Sequence, residues 1–451
     1  MRLLYQIFIV TLPFCAMIKP GLLGNFDANL SLFPFLVLAM LLLLDRSILN
    51  VLQRHGPEGA LVRMIAILFV IAGGMTVFHG AFLSAVGASA YDTNPLRKSI
   101  VTSIVPIFLI LLICTAVVIG EKMSPRALQR SIELAFGAFF AYTLLQVASS
   151  IVANPFYSSL WPVFEGSRDN LGVSYIERFG RINGTTMEPS EFSKLLCILF
   201  LPWFVYPVEG SMLLKRVLLV LALGMASMAL TGIFLVIVAF FLITLSNRVK
   251  GWKRRMLIVI GLVAMVSLIV AGDVLFAQIL SRLTALNADP SAIIRFFYNY
   301  TAAQIVLENP IFGIGWSNEI YYFPQRVVEI SFLWEVRNDL LTGNALTAKS
   351  LFLRLSMYLG IPLMIVLILT IMMSLRKTRG VLPDRDVARA RMTFVLLGTS
   401  AIIDGGIITS FYMWCAPGLC LGVLMRQRRI RERIAQTQRR VQAVISPEPV
   451  K

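Results

Sequence analysis

From Ser99 to Gly120 the chain carries no charged side chain, and the same holds from Met256 to Val270. Crossing the hydrocarbon core of a bilayer takes about 20 apolar helical residues. In lipid every backbone N–H and C=O has to be satisfied within the protein, which leaves helices and closed barrels as the spanning structures. Barrel strands alternate polar and apolar residues over about ten positions, and these runs do not alternate. The chain therefore reads as an all-α, polytopic integral membrane protein. Composition agrees, with 57% hydrophobic and 14% charged residues, where soluble domains carry about a quarter charged.

The pattern predicts about twelve transmembrane helices, near 3–18, 30–44, 64–84, 99–120, 131–153, 192–208, 215–230, 232–246, 256–273, 350–374, 392–408 and 411–425. They form a single membrane domain over 1–451, without internal repeats. Gly232 is expected to seat the tight turn between the seventh and eighth spans, and Asp404, Gly405 and Gly406 interrupt the last pair. No small-residue cleavage site follows the first apolar stretch, so it is read as a retained helix.

The net charge of +17 would suggest a nucleic-acid partner in a soluble protein. Here the positive-inside rule accounts for it, and no nucleic acid is expected. With a cytoplasmic N-terminus, the inner segments are 1–4, 45–63, 121–130, 209–216, 247–255, 376–391 and 426–451, and they hold about two-thirds of the 41 Lys and Arg. Both termini are then cytoplasmic. The basic tail 426–451 reads as a short helix on the anionic lipid surface. Cys15, Cys114, Cys197, Cys415 and Cys420 lie in or beside apolar runs without a CxxC pair, and the only histidines are His55 and His79. These residues exclude a His-cluster metal site and read as small core hydrophobes. Neither metal nor cofactor is expected.

Two large segments fall on the outer side, a first loop at 154–191 and a larger one at 274–349. Short helices on or dipping into the membrane surface are expected in the second, where SAIIRFFYNYTAAQIVLEN places apolar residues at helical spacing. The first loop brings Arg178, Arg181, Glu188 and Glu191 just ahead of the sixth span. Gly184 permits an unusual backbone angle and Pro189 suits a helix start. The glutamates are read either as caps of that helix or as working groups. The second loop holds Arg282, Arg295, Arg326, Arg337 and Lys349, basic groups that run against the positive-inside bias and suit paired contacts to phosphate oxygens. Tyr298, Tyr300, Trp316, Tyr321 and Tyr322 are read as sugar-stacking rings or as an interfacial belt. Asp404, an ionisable group in an apolar stretch, marks either a functional site or a helix break.

The stretch Arg181, Gly184, Glu188, Pro189, Ser190 resembles the R-x-x-G-x-x-x-E-P-S motif of the O-antigen ligase/polymerase superfamily. Arg295 followed by Asn309, Pro310, Gly313 and Gly315 resembles that family's arginine, amphipathic helix and N-P-x-x-G-x-G turn. With loop order and sizes, the resemblance covers most of residues 130–375. One feature departs from it: Lys349 and Ser350 stand where many members carry a His-Asn pair, which favours the polymerase branch over the ligase branch. The resemblance implies a GT-C-like membrane fold and metal-independent glycosyl transfer on the periplasmic face of a bacterial inner membrane. Donor and acceptor would be oligosaccharides on undecaprenyl diphosphate, with a chain-length regulator and a flippase as further partners. It implies Arg181 and Arg295 on the diphosphate, supported by Arg178, Arg282 and Lys349. Glu188 is the first choice of base, with bracing of Arg181 as its competing role, and Glu319 and Glu335 stand in reserve. An oligosaccharide ligase, and a transporter or lipid flippase, are the alternatives.

Overall fold

A computed structural model describes residues 1–15, 30–91, 93–151, 182, 184–186, 188–207, 213–227, 229–245, 290–343, 346–378, 382–404 and 410–445. Within them the chain is helical, and the one extended pairing is an isolated bridge between Ala90 and Thr93. The helices are α1 (Arg2–Thr11), α2 (Leu32–Leu44), α3 (Ser47–Leu52), α4 (Pro57–Ala85), α5 (Pro95–Thr102), α6 (Ile104–Lys122) and α7 (Pro125–Ile151). Then come α8 (Pro189–Leu195), a π-helical turn (Leu196–Phe200), α9 (Leu201–Val205), α10 (Leu213–Ala226) and α11 (Leu230–Leu245). The C-terminal half holds α12 (Pro290–Glu308), α13 (Phe323–Val327), α14 (Trp334–Thr342), α15 (Leu351–Leu359), α16 (Ile361–Lys377), α17 (Asp384–Ile403) and α18 (Phe411–Ile445). Among the described residues three helical segments, Pro57–Ala85, Pro95–Lys122 and Pro125–Ala148, are long and apolar enough to cross a membrane. Arg2–Thr11, Leu32–Leu44 and Thr231–Leu245 are shorter apolar helices.

The centre of the molecule is α6 against α18. On α18, Gly418 and Gly422 are four positions apart and face Ala116 and Gly120 of α6, so closely that a side chain at Gly422 would collide with the Val117 carbonyl. Small residues at this spacing let two helix backbones touch, which gives apolar helices packing energy that the hydrophobic effect does not supply in lipid. Around this pair Leu109, Leu112, Val117, Leu419 and Leu424 are fully buried, and Cys114, Cys415 and Cys420 lie among them as small core side chains.

The polar side chains collect at two ends. At one, Arg428 donates to both carboxylate oxygens of Glu58 (2.9 and 3.0 Å), Arg54 and Arg429 meet Glu121, Lys122 meets Asp45 (3.0 Å), and Gln427 donates to Asp386 (3.1 Å). All of these residues come from segments grouped on the inner side by charge. At the other, α8, α12 and α15 meet Asp404 at the end of α17 and Ser410 just before α18.

Four features depart from the sequence reading. The predicted span 350–374 is broken at Gly360 (φ 78°) into α15 and α16, because the Asn309–Gly315 turn packs into the break: Ile361 N–H donates to the Pro310 carbonyl (2.7 Å) and Ile314 N–H to the Met357 carbonyl (2.8 Å). Gly232 does not form a turn but lies inside α11, where a side chain would strike Ser193 of α8. The basic tail is not a separate surface helix, since α18 runs unbroken through it to Ile445. The helix read from residue 64 begins at Pro57, where Pro at the first turn starts a helix without losing a needed donor. The predicted span 256–273 lies outside the described residues.

Candidate functional site

The site forms where the N-terminus of α8, the first turns of α12 and the C-terminus of α17 converge. Gly184 takes a left-handed φ of 54°, and its N–H donates to the Gln146 side chain at 2.9 Å, which fixes the approach to α8. Glu188 is the residue at the N-cap and Pro189 opens the helix, as the spacing predicts. The Glu188 side chain makes no capping hydrogen bond, so the capping reading of this glutamate is overturned. Its described polar contact is the Ser190 hydroxyl, which donates to Oε2 at 3.3 Å.

One helical turn on, Glu191 and Lys194 are buried. Lys194 Nζ is fully buried and lies 2.8 Å from Glu191 Oε1 and 3.0 Å from Asp404 Oδ2. Glu191 Oε2 accepts from the Tyr412 hydroxyl and from Ser410 (3.5 Å). Asp404, extended at the end of α17, also accepts from Thr231 (3.4 Å), and Arg295 Nη1 stands 4.0 Å from the same Oδ2. Lys194 thus ties α8 to α17 and, through Glu191, to α18. A charge in an apolar interior is tolerated when it is paired and hydrogen-bonded on all sides.

Arg295 differs from Lys194 in exposure. Its side chain is 39% accessible, against 0% for Lys194, so its guanidinium fork is open to a ligand while one edge faces Asp404. Glu188 is also open to solvent, yet its carboxyl is pushed above the usual carboxylate range. Burial is the largest cause, the charges of Asp404 and Glu191 add to it, and Lys194 and Arg295 oppose it. Glu188 and Arg295 are thus both accessible and both charge-coupled to Asp404, and the space they border is the candidate recess of the site. Three carboxylates, Glu188, Glu191 and Asp404, face two cations, Lys194 and Arg295. Glu191 and Asp404 are held by named donors, and Glu188 is the member left to take up a proton.

The other candidates separate from this centre. Arg178, Arg181 and Arg282 lie outside the described residues. Lys349 precedes α15, whose Ser350 N–H donates to the Asn299 side chain (2.9 Å) one turn along α12 from Arg295. Its ammonium turns to a neighbouring cluster, 4.9 Å over the Tyr298 ring and 4.0 Å from Glu335, with the Tyr298 hydroxyl donating to Asp339 (2.9 Å). Asn309, Pro310, Gly313 and Gly315 build the turn that locks α12 to the α15–α16 break and to α4, where Trp316 N–H donates to Thr76 Oγ1 at 2.6 Å. Gly313 and Gly315 need their φ of 63° and 73°, so this motif is scaffold. Glu319 belongs to it too, buried against the Tyr358 hydroxyl (2.8 Å). Tyr298 and Trp316 are 0% and 2% exposed, which removes them as sugar-stacking rings, while Tyr300 remains exposed.

The sequence reading passed over Lys194, Tyr412, Ser410 and Thr231. Lys194 carried a usable signal, a lone cation inside an apolar helical run. Among the described residues no group of three or more His, Cys, Asp or Glu is arranged to hold a metal ion; two cations stand between the carboxylates of this site. Comparison with protein-family models and with curated proteins finds no match to the chain.

Proposed function

We propose that the chain is a membrane glycosyltransferase that polymerises saccharide units carried on undecaprenyl diphosphate, working on the outer face of a bacterial inner membrane. The observation that supports this reading is that Glu188 and Arg295 are both coupled to Asp404. These residues, far apart in sequence, were singled out by separate motifs, and Asp404 is held in turn by Lys194.

The chemistry follows from their states. An acceptor hydroxyl attacks the anomeric carbon of the donor and gives its proton to Glu188, whose raised basicity suits a general base. The bond from that carbon to the diphosphate oxygen breaks, and the lipid diphosphate leaves with the electron pair. Arg295, accessible and aimed by Asp404, neutralises the charge that develops on the departing oxygen. Arg181 is assigned beside it by the sequence motif alone. Lys349, whose ammonium faces Tyr298 and Glu335, is given no part in this step.

The test is polymerisation by the purified full-length protein supplied with lipid-diphosphate-linked repeat units. Wild type is expected to give a ladder of products, lost in Arg295→Ala. Absence of any ladder from a folded wild-type protein refutes the reading. Carrier-linked long polymer accumulating in a deletion strain would instead indicate the ligase reaction, and single repeats on the final acceptor indicate lost polymerisation.

A further inference from the structure

Beside the accessible pair lies a buried set of charges that the two motifs do not explain. Lys194 is fully buried, 2.8 Å from Glu191 and 3.0 Å from Asp404, and Asp404 Oδ2 is shared by Lys194, Thr231 and Arg295. From these contacts we infer that Lys194 and Asp404 are positioning residues of the transfer site: Lys194 keeps Asp404 in place at the end of α17, and Asp404 aims the Arg295 guanidinium into the recess that Glu188 lines. This rests on the glycosyl-transfer reading above and deepens it.

Three physical points carry the inference. A lysine with no exposed surface is costly unless paired, and apolar side chains in place of the whole Lys194, Glu191 and Asp404 set would hold the helices together at no greater cost. The retained charge is therefore coupled to something that needs it. Next, the acid that faces Lys194 is also the one nearest Arg295, so moving the lysine moves the arginine's partner. Finally, Lys194 donates to Glu191 as well, and Glu191 is clamped by Tyr412 and Ser410 of α18 and the residue before it. The arginine is thereby referenced to the central α6–α18 core instead of to a loop. Precise placement of a phosphate-binding fork matters because misplacement by about 1 Å can cost on the order of a hundredfold in rate.

The charged groups facing Glu188 are Asp404 at the end of α17, Glu191 and Lys194 on α8, and Arg295 on α12. Changing the positioning pair should therefore move the acid limb of the activity profile in opposite directions. Asp404→Asn removes a negative charge and shifts that limb to lower pH by about half a unit or more, while Lys194→Met shifts it upward by a similar amount. Asp404→Asn also has a second signature. If charge alone mattered, loss of an anion beside the recess would tighten binding of undecaprenyl diphosphate. A mis-aimed Arg295 weakens it instead, by about tenfold.

The experiment measures polymer formation against pH and binding of undecaprenyl diphosphate, both on the full-length protein, for wild type, Asp404→Asn, Lys194→Met and Lys194→Arg. Opposite limb shifts with weakened binding in Asp404→Asn, and partial recovery in Lys194→Arg, support the inference. An unmoved limb or tightened binding in Asp404→Asn overturns it. If Lys194→Met does not fold, Asp404→Asn and Lys194→Arg decide the matter. If wild type makes no polymer, the proposed reaction fails on its own, and the direction of the binding change in Asp404→Asn still decides whether the pair positions Arg295.

Discussion

Glu188→Gln separates a proton acceptor from a structural brace. The substitution keeps the size of the side chain and its acceptor for Ser190, 3.3 Å away, and removes only the charge. A positioned general base contributes about 10²–10⁴ in rate, or roughly 3–5 kcal/mol of barrier, so polymer formation should fall by that factor. Stability should move the other way. Burial and the neighbouring charges of Asp404 and Glu191 raise this carboxyl in the folded state, and a group raised on folding contributes stability below its unfolded pKa that is lost as pH rises through the folded value. Above that folded value the ionised glutamate therefore opposes folding, and the glutamine should melt at the same temperature or higher. Glu191→Gln is the matched contrast. Its carboxylate takes Lys194 at 2.8 Å, Ser410 and Tyr412 in a site 4% exposed, and breaking such a buried set costs about 3–5 kcal/mol. The assay is polymer yield from lipid-linked repeats alongside the melting midpoint in detergent. Activity within about threefold of wild type, or a midpoint that falls in Glu188→Gln as it does in Glu191→Gln, would refute the assignment of Glu188 as the base.

Wild-type activity should climb with pH through a value above the ordinary carboxylate range, because below it Glu188 already holds a proton and accepts none; a profile that stays flat down to the ordinary range contradicts this. Gly313→Ala forces a side chain into a φ of 63° against the Met357 carbonyl and loosens the bond from Ile314, so a loss of about 2–4 kcal/mol is expected, read as a lower melting midpoint. Arg428→Ala strands Glu58, 1% exposed, at the other end of the molecule; it should destabilise by about 3 kcal/mol and leave the pH profile of the surviving protein unchanged. Gly232→Val pushes α11 from Ser193 on the helix that carries Lys194, so activity should fall before folding is lost, seen as lower specific activity in the folded fraction.

What the sequence made legible follows from how local each signal is. The runs behind α4, α5 with α6, and α7 could be read because length and apolarity are properties of a continuous segment, and their starts moved where Pro57, Pro95 and Pro125 open helices earlier than the apolar residues do. The Gly184 turn and the Pro189 start were legible for the same reason, since backbone demands show in residue type. Partnership across helices leaves no such trace. Nothing about position 194 names position 404, and Lys194 inside an apolar run indicates only that some partner exists. The break at Gly360 was hidden because an apolar stretch looks continuous until another segment packs into it. The Asn309–Gly315 motif invited a functional reading, yet each of its unusual residues is used to dock a turn on α4 and α15.

That outcome sharpens how the site is divided. Of the described residues that motifs brought forward, those in glycine-rich turns are scaffold, and those that border the recess are one acid and one arginine, each accessible. The groups that hold them in place are buried, and two of them, Lys194 and Tyr412, came from stretches read as apolar span. The proposed transfer reaction would use this division: the acid and the arginine would meet substrate, whereas their supports would stay fixed while charge builds up nearby. The buried Lys194–Asp404 contact stays fixed in that way, because any motion that parts it weakens the pairing of two charges in the interior. The cost of burying that pair is thus tied to keeping Arg295 still, and a variant that made the interior apolar while retaining full activity would break that link.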